Sequence, residues 1–379
     1  MWGQKLHAPP RRKIGRDAPR RRCRPTIEDD YRHDANGLPQ SHPSGQPSLA
    51  PRHQGHYADF NLTSALDRGR LDDEKHVRMT VWSATGMAKP TFVEGVAGLG
   101  SDLARTYQKG DWLGPSWTNH WVHVVLNIPE AFRKSGEPVI FEFDPGCEGL
   151  IYNMEGHPLH AITGGANSRK DGAPGTAEDR RIDHIVPREA VTAGRYEIYI
   201  EVSVNGLFGV GINGFRHQRP DMNVSFKLAS ADLVLARSEA RALQIDFKVL
   251  AQLARAEEGE RWAVSRRALR AANEVMNAFR RSKGDGVTGE LDLVVSRCRE
   301  IARSVLGHID KGVTSKPSRA AMIWGIGHCH IDTAWLWRYT QSQQKVARSW
   351  SSQVDLIARY PKHHFGASSA QQYAWLEEL

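Results

Sequence analysis

The spacing of apolar residues changes its period along this chain, and each period admits a different kind of element. Between about residues 56 and 230 the apolar signals are short runs, Trp121–Ile128, Val139–Phe143, Arg195–Ser203 and Asn223–Leu228, several of which alternate apolar with polar residues. Gly, Pro, Asn and Asp punctuate these runs, so the segment reads as short strands in antiparallel sheets packed face to face, a β-sandwich-like domain. From Ala231 the apolar positions take helical spacing: Leu243, Phe247, Leu250 and Leu253, then Ala268, Ala271, Val275 and Phe279, then Leu291, Val294, Val295, Cys298, Ile301 and Val305. Three helices over residues 231–312 follow, with breaks at 257–259 and 283–287.

A third rhythm begins after the linker at residues 314–317. Ala320–Trp324 is a short apolar run ending in Gly325 and Gly327, as a buried parallel strand would end. Leu336, Tyr339, Val346, Trp350, Val354 and Ile357 mark a helix that Pro361 stops. Phe365–Ala367 is a second strand, and Ser368 or Ser369 caps a further helix with Gln371 or Gln372 three residues on. Strand, helix, strand, helix is the opening of an α/β domain with a parallel sheet, here residues 318–379. The expected fold class is therefore a multidomain α+β chain.

Charge excludes one class of function. The net charge is +8, yet the first 24 residues hold nine basic residues against one acid, which accounts for all of it. A folded nucleic-acid-binding domain carries its basic excess on its own face, where it neutralises phosphates. Here the excess lies in a Pro, Arg, His and Ser-rich segment, residues 1–55, whose composition predicts a disordered tail. No apolar run approaches the ~18 residues of a membrane span, and none follows the basic N-terminus as in a secretory signal. A cytoplasmic protein is expected, with no nucleic-acid or membrane partner. The four cysteines show no C-x-x-C spacing, so neither a disulfide framework nor a cysteine zinc site is expected.

Gly327-His328-Cys329-His330-Ile331-Asp332 stands where the first parallel strand should end, the position at which α/β sheets build their sites. In extended backbone, residues two apart share a face, so His328, His330 and Asp332 are placed to converge. Two imidazoles and a carboxylate suit a divalent transition metal. Trp335 and Trp337 add flat apolar faces beside it, an arrangement suited to sugar. Two other readings stand. Asp332 can simply N-cap a helix starting near Thr333, with ordinary loop histidines beside it. An amidohydrolase would use His328 and His330 as its metal pair and leave Asp332 incidental.

The longer string is more specific. Gly327 to Trp337, Gln344-Lys-Val-Ala-Arg-Ser-Trp350, Tyr360-Pro361 and Ser369 to Trp375 resemble the opening of the catalytic domain of class II α-mannosidases, glycoside hydrolase family 38. Residues 69–76, 114–121, 143–149 and 159–165 resemble the N-terminal region of that family's cytosolic and fungal vacuolar branch. The likeness covers about Tyr57 to Leu379. It implies a zinc ion, with cobalt as the alternative, held by His330 and Asp332. It also implies a sugar subsite lined by Trp335 and a supporting role for His328. Cys329 is expected to pack on the opposite side.

The reaction implied is retaining hydrolysis of α-linked mannose in oligosaccharides, in mannose metabolism and oligosaccharide catabolism, by an enzyme that forms homo-oligomers. Delivery to the vacuole from the cytosol is implied as well. The family's nucleophilic aspartate has no counterpart up to Leu379. About 60 residues of α/β chain do not cover both faces of their strands. The chain is therefore expected to be an inactive N-terminal portion, with a non-catalytic interaction module as the alternative.

Overall fold

A computed structural model describes residues 62–165, 180–211, 219–255, 262–280, 288–314 and 324–378, which belong to one compact unit. The expected tail and the 314–317 linker beyond Thr314 lie outside the described residues.

Among the described residues, twelve strands precede the first long helix. They are β1 (Asp67–Leu71), β2 (Val77–Ser83), β3 (Arg105–Thr106), β4 (Trp112–Leu113), β5 (Asn119–Asn127), β6 (Val139–Asp144), β7 (Glu148–Tyr152), β8 (Pro158–Thr163), β9 (Asp183–Ile185), β10 (Arg195–Ser203), β11 (Phe226–Lys227) and β12 (Ser230–Ala236). Short helices α1 (Phe92–Leu99), α2 (Glu130–Arg133) and α3 (Arg188–Ala193) interrupt them. One sheet has the order β1-β12-β6-β9 and the other β3-β2-β5-β10-β7-β8, and every pairing in both is antiparallel.

The alternation in β10 explains the sandwich. Ile198, Ile200 and Val202 enter the core with Val122, Val124 and Leu126 of β5 and with Phe141, Phe143 and Leu233 of the other sheet. Glu197, Tyr199, Glu201 and Ser203 therefore take the opposite face. The β5–β10 register runs unbroken from Arg195↔Asn127 to Ser203↔Asn119, and on its other side β10 sets Ser203 opposite Glu148. At one end this outer face is covered by α1. That helix starts on a Thr91–Glu94 capping box and rests Gly95 directly on Trp121, where a Cβ would overlap the indole.

Next among the described residues come the helices α4 (Ser238–Arg255), α5 (Trp262–Arg280) and α6 (Thr288–Thr314), closed around Leu243, Leu250, Ala268, Val275, Val295, Cys298 and Ala302. Then β13 (Gly327–His328), α7 (Tyr339–Arg359), β14 (Phe365–Gly366) and α8 (Ala370–Glu377) complete the described chain, with β13 and β14 paired in parallel.

Four local expectations change. Residues 230–236, at the start of the stretch assigned to helices, form β12, because Ser-Ala-Asp-Leu-Val-Leu-Ala is buried between β1 and β6. The strand expected over Asn223–Leu228 shrinks to two residues, since Asn223 N–H donates to Asp221 Oδ1 (2.9 Å) and Val224 N–H to Ser116 Oγ (3.0 Å) instead of to a ladder. The parallel pairing is made by Gly327–His328, later than the expected run Ala320–Trp324, of which residues 320–323 lie outside the described residues and Trp324 is exposed. Ser369 occupies the N-cap of α8 but its side chain makes no cap hydrogen bond.

Candidate functional site

The segment between β13 and α7 lies against the sandwich. Its geometry begins at α7, whose buried residues are Gln341, Ser342, Gln344, Lys345, Val346, Arg348 and Ser352. Six of these seven are polar or charged, so the helix turns its polar face inward. The reason is on the sheet beneath it, where Glu148 and Glu201 project outward from β7 and β10. Lys345 Nζ donates to Glu148 Oε1 (2.7 Å), Arg348 Nη2 to Glu148 Oε2 (3.1 Å) and Asn205 Nδ2 also to Oε2 (2.9 Å). The side chains of Glu148, Lys345 and Arg348 are 5%, 7% and 4% exposed. Burial by itself would raise the Glu148 carboxyl, but Arg348 and Lys345 hold it below the ordinary range, so it stays ionised.

Glu201 takes hydrogen bonds from Asn119 Nδ2 (2.5 Å) and from Gln344 Nε2. Lys89 extends this layer, donating to Asn119 Oδ1 (2.6 Å) and to the Trp117 carbonyl (2.9 Å). Its ammonium is lowered to about 7, chiefly by burial, against the pull of Glu201.

A cleft of about 600 Å³ opens beside this contact, and Glu148, Phe208, Cys329, His330, Asp332, Trp335, Trp337, Lys345 and Arg348 are among its walls. His330 Nε2 and Asp332 Oδ1 stand 3.0 Å apart, with the His330 side chain 79% exposed. Trp335 and Trp337 cross edge to face at 5.5 Å, and Phe208 from the sandwich meets Trp335 edge to face at 6.4 Å. Trp337 Nε1–H donates to Ser342 Oγ (2.9 Å), and the Ser342 hydroxyl lies within hydrogen-bonding distance of the carbonyls of Asp332 (3.0 Å) and Thr333.

Of the residues singled out in the sequence, His330, Asp332 and Trp335 come together at the cleft. His328 does not: it lies in β13, exposed, and is not among the cleft walls, whereas Cys329 is. The backbone leaves β13 after His328, so strict two-residue alternation fails at that point. Asp332 caps no helix, because α7 starts seven residues later with Arg338 at its N-cap. Sequence reasoning missed Glu148, Phe208, Lys345 and Arg348. Glu148 and the Lys345–Arg348 string both lie in motifs quoted above, but a helical pattern shows that two cations share a face without showing that the face is buried.

Residues 75–234 match the family described as alpha-mannosidase, jelly roll domain, and residues 320–379 match the glycosyl hydrolases family 38 N-terminal domain. The sandwich and the final βα units are thus parts known from one kind of glycosidase. An alpha-mannosidase of Saccharomyces cerevisiae is 32% identical over 348 residues, 86% of this chain and 29% of that protein. Alpha-mannosidase G of Dictyostelium discoideum is 30% identical over 71% of this chain and 22% of its own length. Alpha-mannosidase 2C1 of Homo sapiens is 31% identical over 72% of this chain and 23% of its own length. The chain belongs to the class II α-mannosidases, glycoside hydrolase family 38. It spans less than a third of the length of these relatives. The amidohydrolase reading of His328 and His330 is set aside by the family matches.

Proposed function

We propose that the cleft between the sandwich and the β13–α7 segment is part of the sugar site of a retaining α-mannosidase acting on oligosaccharides, and that this chain alone does not turn over substrate. One observation carries the reading: an imidazole and a carboxylate held 3.0 Å apart beside the crossed aromatic rings of Trp335 and Phe208. The rings offer flat apolar surface to the C–H faces of a sugar, and Asp332 offers an acceptor to its hydroxyls. His328 keeps a supporting role only, through the strand it occupies.

The donor chemistry of His330 and Asp332 suits zinc or cobalt. A protein zinc site takes three or four protein ligands, and among the described residues no group of three His, Cys, Asp or Glu is placed to hold a metal. The pair is therefore an incomplete site among the described residues. Retaining hydrolysis needs two carboxyl groups free to act as nucleophile and acid. Glu148 is tied to two cations and Asp332 to His330, so the carboxylates of this cleft do not supply that pair.

We propose a domain plan of a sandwich that runs to Ala236 and not to the expected residue 230, a helical segment to about residue 312 and the first βα units of the catalytic domain from about 318. For the whole protein we expect a homo-oligomer in the cytoplasm, with vacuolar delivery. Purified 1–379 is expected to release no nitrophenol from p-nitrophenyl α-mannoside but to bind methyl α-mannoside, seen as a change in tryptophan fluorescence that Trp335→Ala removes. Identical titrations of parent and Trp335→Ala, or no binding by the parent, would count against the cleft as the sugar site.

A further inference from the structure

Lys345 reaches three separate pieces of the molecule. Its ammonium bonds Glu148 Oε1 on β7 (2.7 Å) and the Leu207 carbonyl in the segment after β10 (3.1 Å), and it sits 4.3 Å from the centroid of the Trp337 ring. From Trp337 the chain of contacts continues through Nε1–H to Ser342 Oγ, and Ser342 reaches the carbonyls of Asp332 and Thr333. The segment carrying Leu207 is itself braced on the same stretch. Gly209, at φ 81°, lies so close to the Leu336 carbonyl that any Cβ there would overlap it, and the neighbouring Phe208 ring meets Trp335.

The charge count around Glu148 is uneven, since Lys345 and Arg348 share one carboxylate. Arg348 alone would neutralise Glu148. Docking of α7 therefore does not require a second cation at position 345, whereas contact with Trp337 does, because an ammonium above an indole face is attracted by the ring quadrupole and more strongly so when desolvated.

We propose that Lys345 is a positioning residue that fixes the Asp332–Trp337 segment against the sandwich, making the jelly roll domain a working part of the cleft. The proposal rests on the reading of that cleft as the sugar site. Trp335 is set indirectly, through Trp337 on one side and Phe208 on the other.

The test uses the full chain labelled with 5-fluorotryptophan and observed by fluorine NMR, with Trp335 and Trp337 assigned by replacing each with Phe. Lys345→Met keeps the length of the side chain and leaves a balanced Glu148–Arg348 pair. It is expected to shift and broaden both signals while those of Trp82 and Trp121 in the sandwich stay in place, and Lys345→Arg is expected to restore them. A Trp335 signal that does not move in Lys345→Met overturns the proposal, as does failure of Lys345→Arg to restore the signals. Should the Trp82 and Trp121 signals move as well, Lys345→Met is repeated in a Trp337→Leu background: a Trp335 shift as large as before refutes the relay through Trp337, and loss of that shift upholds it. No sugar is present in this experiment, so a missing mannoside response in the parent chain speaks against the sugar reading separately.

Discussion

His184 shows how far a single buried group can be read. His160 Nδ1 lies 2.9 Å from the Ala161 carbonyl and must donate to it, which leaves Nε2 to accept from His184 Nδ1 (2.9 Å) and His184 Nε2 to accept from the Tyr196 hydroxyl (3.0 Å). Burial lowers both imidazoles and, aided by His160 and Arg181, takes His184 to about 3, which keeps the pair neutral at pH 7 and fits this tautomer assignment. His120, buried against Ser83 and Thr118, is lowered to about 4, chiefly by burial. A histidine whose folded value lies below its unfolded value of about 6.5 stabilises the fold fully above that pH and loses the contribution as pH falls. The unfolding free energy from urea titration should therefore drop between pH 6.5 and 4, by up to about 1.4 kcal/mol per pH unit for each proton taken up, and His184→Gln should flatten the slope. A flat profile over that range would refute the neutral assignment. In the sequence these histidines carried no signal, because their neutrality comes from partners up to 37 residues away. His330 and Asp332 were legible because residues two apart in sequence meet without any distant partner, even outside the strand.

At the scale of elements, strands and helices were legible in proportion to how strictly one period held. β5, β6 and β10 appear within two residues of expectation because every second side chain enters the core. β11 and β13 were not, since their neighbours bond locally or bend away. The short helix α1 was invisible for another reason: its seat is made by glycines. Gly95 lies on Trp121 and Gly98 on Trp82, each with no room for a Cβ. Gly95→Ala should lift the helix and destabilise the chain by about 1–3 kcal/mol in urea unfolding, despite alanine's better helix propensity. A change within about 0.5 kcal/mol, typical of surface substitutions, would show that the helix is not seated on that indole.

For the whole molecule, the order of sandwich, helices and βα units followed from the changes of period, whereas the seating of α7 did not. Burying its polar face leaves Val354 (64% exposed), Ile357 and Tyr360 outward, and Trp324 and Ile326 are exposed as well. Apolar surface of this kind binds hydrophobic dyes. The chain should enhance anilinonaphthalene sulfonate fluorescence at neutral pH, and Val354→Glu with Ile357→Lys should reduce it; equal enhancement in parent and variant would locate the apolar surface elsewhere. The contact beneath α7 also constrains descent. Removing Glu148 alone strands two buried cations, at a cost of about 3–5 kcal/mol, and removing Arg348 alone breaks a buried pair. Lineages should thus cross between versions of this interface by paired replacements, so that positions 148, 345 and 348 drift together across homologues while exposed positions such as 354 and 357 vary independently.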